Sequence, residues 1–356
     1  MAGYHRLLRR ICDRYVVISE MLTLLQIGRE QRRELDILFL AKYAQDWSEP
    51  PPMVHPRYGR ELYTKFEVLS VLRGLARSVE PCDSLEAFEK RMSSGPAPDY
   101  IFQIYNREAV RNPEILVSSL CARTGVPYLG SPPNIRAMAE DKWITKLMAR
   151  GAGLPVPDGT VAVSEADLDD PPDFDGPYFV KPRFGANSEG VDESSICGSW
   201  DEVRDRASAL LAAGEEALIE ALAPGLDVTV PVLGGPVAMH PVANHSDLRE
   251  GIQTERQKRF LDPGKRGEPF QDKALCKELQ ESALAFTRLV QPCDYLRVDF
   301  RVAPDRSFRL LEFNVTCNLA TTMSMNVGAR ATGVSHEAMI EHFLCYSLER
   351  QGVAAA

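Results

Sequence analysis

Two carboxylates, an amide and a guanidinium stand at matched positions near the C-terminal end of this sequence. Leu296-Arg-Val-Asp-Phe-Arg-Val302 alternates strictly, and Phe308-Arg-Leu-Leu-Glu-Phe-Asn314 follows after Ala-Pro-Asp-Arg-Ser. Two such runs around a short turn read as a β-hairpin. With the turn centred between Asp305 and Arg306, Asp299 lies opposite Glu312 and Arg297 opposite Asn314. Side chains two apart share a strand face, so Arg297, Asp299, Glu312 and Asn314 project to one side. Val298, Phe300, Leu311 and Phe313 occupy the other, which suits a core. An all-oxygen set of this kind suits Mg²⁺, commonly held by one or two carboxylates together with substrate phosphates. A ladder of cross-strand ion pairs on a solvated face is the competing reading.

A second group points to phosphate. Tyr178-Phe-Val-Lys-Pro-Arg-Phe-Gly-Ala-Asn-Ser-Glu-Gly-Val191 puts Lys181 at a strand end, before a loop that contains Gly185 and Gly190. Small residues let backbone N–H groups approach phosphate oxygens, and the lysine adds positive charge. The chain has no Walker A sequence, no Gly-x-Gly-x-x-Gly fingerprint and no Gly-x-Ser-x-Gly elbow. His336 and His342 are six apart, on different faces of a helix, and do not form a metalloprotease pair.

The elements that would position these groups alternate between strand and helix. Asp36–Leu40 reads as a first strand, 46–60 as a proline-rich loop, 61–78 as a helix and 100–104 as a second strand. A helix over 113–123 and a short strand over 125–130 complete a small α/β domain. Ser131 to Gly151 reads as one helix that contains Asp141 and Lys142. Strands follow at 160–163, 178–181, 217–220 and 226–233, with helices near 199–213 and 272–290. Residues 244–272 are polar and aperiodic, as in a long surface loop that covers a site. Residues 4–30 read as an amphipathic helix; the basic start imitates a secretory leader, but Glu20 interrupts the apolar run and no clean cleavage site follows.

Composition narrows the classes. The chain has 356 residues, 44% hydrophobic and 26% charged, with 41 Lys plus Arg against 50 Asp plus Glu and a net charge of −9. That balance excludes collagen-like and disordered chains and disfavours a general nucleic-acid binder. No run reaches the roughly 20 apolar residues of a membrane span. The 8 cysteines are scattered without a Cys-x-x-Cys pair, as for reduced thiols in a cytoplasmic protein.

Taken in order, Asp141-Lys142, Lys181-Pro-x4-Asn187-Ser188-x-Gly190-Val191, Leu218-Ile-Glu220, Gly225-x-Asp227-x-Thr229-Val, Arg297-x-Asp299 and Glu312-x-Asn314 resemble the ATP-grasp superfamily. Within it the chain is most similar to D-alanine–D-alanine ligases and related amide-bond-forming ligases, over about residues 125–330. The resemblance implies an ATP-grasp fold with an N-terminal α/β preATP-grasp domain at 1–130, a central subdomain at 131–222 and a C-terminal subdomain with the metal site at 223–356. It also implies an ATP-dependent carboxylate–amine ligase that works through an acyl phosphate and releases ADP and phosphate. Carried over residue by residue, Lys142 and Lys181 would contact ATP phosphates, and Asn187 and Ser188 would lie in the loop that closes over them. Glu220 would receive the adenine amino group, the backbone near Ala223 would complete that hinge, and Asp227 would bind the ribose. Lys258 stands near where the family has another phosphate-contacting lysine. Asp299, Glu312 and Asn314 would hold two Mg²⁺ ions, with Mn²⁺ as a substitute. Arg297 would stabilise the acyl phosphate and the oxyanion, helped by the backbone of Asn318. Partners would be a small carboxylate and an amine, amino-acid-like, with no nucleic acid or membrane, and a homodimer as in many relatives. A kinase or thioester-forming enzyme of the same fold, and a non-catalytic ATP-binding module, are the alternatives; Arg297 argues against the module.

The departures concern the substrates. The family carries a Gly-Gly-x-Ser-x-Glu-like segment after its first strand, where this chain has Phe39-Leu-Ala-Lys-Tyr-Ala-Gln-Asp-Trp47. After the metal Asn the family has Pro-Gly and then Ser, where this chain has Cys317-Asn318-Leu-Ala-Thr-Thr-Met-Ser324. The reading is therefore a diverged ligase of specialised metabolism. Candidate substrate contacts are Arg57, Tyr58 and Arg60, and in the loop His245, Arg249, Glu250, Glu255 and Arg256.

Overall fold

Strand β1 (Asp36–Leu40) is the middle of a parallel sheet, between β2 (Ser78–Cys82) and β3 (Tyr100–Gln103). In this computed structural model, which describes residues 24–106, 113–185, 190–244 and 267–353, the strand is buried on both faces. Ile37 and Phe39 pack with Val68, Leu69 and Leu72 of helix α1 (Glu61–Leu75). Leu38 and Leu40 pack with Phe88 of α2 (Leu85–Ser94) and Val117 of α3 (Pro113–Thr124). A parallel strand covered on both sides is a continuous apolar run, which is why this one is readable.

Three expectations for this region are corrected. The helix ends at Leu75, and Ser78–Cys82 is an edge strand, where Pro81 is tolerated because its missing N–H faces outward. The strand expected at 125–130 is only a single bridge, Ile101 to Tyr128. Of the N-terminal helix, residues 1–23 lie outside the described residues, 24–28 are not helical, and Arg29–Arg32 form one turn. The backbone N–H of Leu25 donates to His342 Nδ1 at 3.1 Å and that of Ile27 to Glu341 Oε1 at 3.0 Å, so side chains take donors that a helix would use.

The stretch expected as one helix is two, α4 (Pro133–Glu140) and α5 (Lys142–Gly151). Asp141 breaks them apart: it leaves helical geometry, and its Oδ1 accepts from Trp143 N and Ile144 N at 3.0 and 3.1 Å as the N-cap of α5. Beyond it lies an antiparallel sheet in the order β4 (Gly159–Ala162), β7 (Ala217–Ala221), β5 (Tyr178–Pro182), β6 (Ile196–Cys197). Helix α6 (Trp200–Ala212) covers one face, with Val203, Ala207 and Leu210 against Val180 and Ile219.

The largest sheet runs β11 (Glu268–Pro269), β10 (Val242–Asn244), β8 (Leu226–Leu233), β12 (Tyr295–Val302), β13 (Phe308–Asn314), with β9 (Val237–Ala238) beside β8. Helix α7 (Lys273–Thr287) lays Leu275, Leu279, Ala283 and Phe286 on Val298, Phe300, Leu310 and Phe313. Both ends of the segment expected as an aperiodic loop are thus strands, while residues 245–266 lie outside the described residues. Among the described residues, the strands of the three sheets fall within 1–130, 131–222 and 223–356. Helix α8 (Ser324–Ala331) leads to α9 (His336–Arg350), whose Met339, Ile340, Phe343 and Leu344 return to the first sheet beside Phe39 and Phe102. No described helix is long and apolar enough to cross a membrane.

Candidate active site

The hairpin register places Asp299 opposite Glu312 and Arg297 opposite Asn314, as the alternation predicts. Nearer the turn the register changes, because Phe300 pairs with Leu310 and Val302 with Phe308. The turn is a three-residue loop: Arg306 N donates to Ala303 O, Ala303 N donates to Ser307 O, and Arg306 takes the left-handed conformation at φ 71°. Leu311 is the extra residue that reconciles the two halves. The core residue is therefore Leu310, fully buried, and not Leu311 as expected. Bulges re-aim side chains in this way.

On the polar face Asp299 Oδ1 accepts from Thr229 Oγ1 at 2.7 Å, and Oδ2 accepts from Asn314 Nδ2 at 3.0 Å. Arg297 Nε lies 3.2 Å from Asp299 Oδ2. Asn314 thus spends its N–H on Asp299, which leaves its carbonyl oxygen as the group suited to a cation. Burial opposes the Arg297 charge, but Asp299, Cys317 and Glu312 outweigh it and raise its pKa. Two carboxylates and an amide oxygen fit a hard divalent cation that takes its other ligands from phosphate. They do not enclose one alone, and no group of three His, Cys, Asp or Glu does so among the described residues.

The two lysines expected to contact phosphate lie within electrostatic reach of the same corner. Burial lowers Lys142 to about 8, opposed first by Glu312, and Glu312 also favours the charged form of Lys181. Lys142 Nζ donates to Phe184 O at 3.0 Å and Gly185 O at 2.6 Å, at the start of the glycine loop. Lys181 Nζ meets Glu220 Oε2 at 2.6 Å, and Lys146 Nζ meets Glu220 Oε1 at 2.8 Å. Burial alone would raise the Glu220 pKa, but the two ammonium groups outweigh it and hold the carboxyl below its ordinary value. Glu220 is therefore an ionised, buried acceptor.

Asp227 is joined to the hinge through a residue that the sequence reading missed. Arg301, opposite it on β12, donates from Nη1 to Asp227 Oδ1 at 2.6 Å and from Nε to Ala223 O at 3.1 Å. Gly225 lies between them at φ 109°, and a Cβ there would stand 2.0 Å from Val302 O, so only glycine permits this approach.

The far end is made of loops. Cys317 Sγ lies 3.2 Å from Asn314 O, and burial pushes its thiol up to about 12. Asn318 Oδ1 accepts from Ala320 N at 3.0 Å, which fixes the turn and leaves the side chain committed. Glu67 takes Thr321 Oγ1 at 2.6 Å, and Arg60, buried, reaches Thr322 Oγ1 at 3.3 Å. Tyr58 stacks on His55 at 4.9 Å and lies tilted against Tyr43 at 4.6 Å, with Arg57 over its ring. Asn187, Ser188, Lys258, His245, Arg249, Glu250, Glu255 and Arg256 lie outside the described residues.

Lys146, Arg301 and Arg136 went unnoticed in the sequence. Lys146 had a signal: it stands one helical turn beyond Lys142, on the same face. Arg136, almost fully buried on α4, donates to Thr316 Oγ1 just past β13, and nothing local distinguished it from a solvated helix charge.

Comparison with known proteins agrees with this geometry. The model of the D-ala D-ala ligase C-terminus matches residues 151–345. A D-alanine–D-alanine ligase of Desulfovibrio desulfuricans is 29% identical over 266 residues, 74% of this chain and 84% of that one. One of Aquifex aeolicus is 26% identical over 224 residues, 63% and 75% of the two chains. The structure of D-alanine–D-alanine ligase from Bacillus anthracis complexed with ATP superposes with a TM-score of 0.66 at 18% identity, covering 90% of this chain and 99% of that one. That of the Coxiella burnetii ligase gives 0.64 at 15% identity, with coverage of 90% and 96%. The fold is ATP-grasp, and the chain belongs to the D-alanine–D-alanine ligase family, ATP-dependent enzymes that form a carbon–nitrogen bond.

Proposed function

We propose that this chain joins a small amino-acid-like carboxylate to an amine through an acyl phosphate, releasing ADP and phosphate, and that its substrates differ from a pair of D-alanines. The observation that carries the reading is the convergence of Arg297, Asp299, Glu312 and Asn314 on one sheet face, with Lys142 and Lys181 within electrostatic reach of Glu312. In this reading Lys142 and Lys181 hold the phosphates, with Asn187, Ser188 and Lys258 from the neighbouring loops. Glu220 accepts the adenine amino group, the Ala223 backbone lines the hinge, and Asp227, oriented by Arg301, takes the ribose hydroxyls. Asp299, Glu312 and Asn314 hold Mg²⁺, which supplies neutralisation of phosphate charge when bound. A carboxylate oxygen attacks the γ-phosphorus and ADP leaves; the amine then attacks the acyl carbon, loses a proton and expels phosphate. Arg297 presents a planar fork to the oxygens that gain charge, and such electrostatic stabilisation is usually the largest catalytic term. The backbone N–H of Asn318 is the second candidate for that oxyanion.

The different substrates, and with them a role in specialised metabolism, are supported by the loops. The segment after β1 has a tyrosine cluster and Arg60 in place of the family's Gly-Gly-x-Ser-x-Glu-like segment, and the loop after β13 lacks Pro-Gly. D-alanine as both substrates is the second reading, favoured by the names of the relatives. ADP and phosphate release measured over a panel of carboxylic acids and amines, D-alanine included, tests both. The first reading expects product only when two partners are present and at most weak turnover with D-alanine alone. Efficient D-alanyl-D-alanine formation would establish the second. A stable phosphorylated product from one partner would mean a kinase.

A further inference from the structure

We propose that Lys146 is a positioning residue that fixes Glu220 as the acceptor of an adenine amino group and so sets the preference of the site for adenine over a base that presents a carbonyl there. The inference rests on the proposed contact between Glu220 and adenine. Its structural basis is the difference between the two lysines that share this carboxylate.

Lys146 is 1% exposed; its ammonium donates to Leu311 O at 2.7 Å and Leu310 O at 3.3 Å and forms an ion pair with Glu220 Oε1 at 2.8 Å. Two carbonyls of the β13 bulge thus hold this ammonium in place, with its charge against the carboxylate. Lys181 pairs with the other oxygen, Oε2, at 2.6 Å, and among the described residues it has no second acceptor comparable to those carbonyls. A triphosphate at the glycine loop competes for Lys181. Once Lys181 turns to phosphate, Oε2 is released while Lys146 still grips Oε1. The free oxygen then faces the base in a fixed orientation, and the remaining ion pair keeps the carboxyl deprotonated. A deprotonated carboxylate only accepts, so an amino group pairs with it and a carbonyl is repelled. Lys146 touches neither nucleotide nor metal; it acts through Glu220.

ADP and IDP differ at that position, amino against carbonyl, and neither needs turnover to be read. Calorimetric binding of each to the full chain with Mg²⁺, in the absence of other substrates, is the test. The unaltered protein is expected to prefer ADP by about tenfold or more, the scale of one buried acceptor matched against mismatched. Lys146→Met should bring ADP and IDP within about threefold of each other, chiefly by weakening ADP. Glu220→Gln should do the same, because an amide both donates and accepts. Equal weakening of both nucleotides by Lys146→Met, or an unchanged ratio, while Glu220→Gln removes the preference, would overturn the role of Lys146 and leave Glu220 standing. An unchanged ratio in Glu220→Gln would overturn the adenine contact and this inference with it. Melting without nucleotide reports folding; should Lys146→Met not fold, Lys146→Gln, which retains a donor for Leu311 O, is read by the same ratio.

Discussion

The two ends of the candidate site are built from different material. At the end proposed for nucleotide and metal, Lys181, Glu220, Asp227, Arg297, Asp299, Glu312 and Asn314 stand on strands, with registers set by ladders of backbone hydrogen bonds, and Lys142 opens helix α5. At the end proposed for the substrates, Tyr43, Tyr58, Arg60, Asn318 and Thr322 stand on connecting segments held by a few side-chain contacts. A strand residue cannot change its neighbours without moving the sheet, whereas a loop residue can. The strand end accordingly keeps the family's residue types, and the loop end departs from them. On the proposed reading, reaction type and substrate choice are separable in this chain.

The largest effect that could break this contrast lies at the metal corner. Glu312→Gln and Asp299→Asn should each lower Mg²⁺-dependent turnover by about 10³-fold or more, with the melting temperature little changed. Retained turnover in both variants would refute the assignment of that face. A smaller effect sharpens the other side. Arg60→Met should raise KM for the carboxylate or the amine roughly 30-fold, the scale of a lost charge-assisted hydrogen bond, and leave KM for ATP unchanged. A shift in the ATP value instead would mean that the loop end is not independent. The smallest effect concerns pH. Lys142, lowered from 10.5 to about 8 chiefly by burial, loses its charge as pH rises through 8. The profile of kcat/KM for ATP should therefore fall by up to about tenfold between pH 7 and 9, and Lys142→Arg, which keeps its charge, should flatten it. The sign for stability is opposite. Between 8 and 10.5 the unfolded chain binds this proton and the folded chain does not, so the penalty from Lys142 is relieved as pH rises.

What the sequence revealed follows the same division. The alternation of Leu296–Val302 and Phe308–Asn314 made the shared face of Arg297, Asp299, Glu312 and Asn314 legible, because a half-buried hairpin writes its faces directly into residue types. It could not reveal the bulge, since Leu310 and Leu311 are identical in type and only the turn geometry decides which is extra. The run 131–151 looked like one helix because Asp141, its breaker, is also an acceptable helix residue until its carboxylate is seen capping α5. The strand at Ser78–Cys82 was hidden by its proline, which reads as a strand breaker unless the strand is known to lie at a sheet edge. Arg301 was missed for a different reason: a buried cation of this kind is recognised from the anion that tertiary structure brings to it, here Asp227, whereas Lys146, paired with Glu220, had only its spacing from Lys142 to mark it.

The extra residue at Leu311 also divides the hairpin mechanically. Lys146 grips the carbonyls at the junction, so the stretch from Phe300 through the turn to Leu310 is insulated from Asp299 and Glu312. The tip at Pro304–Arg306 is consequently the place where evolution, or an engineer, can lengthen the chain or graft a foreign peptide while the cation-facing pair keeps its alignment.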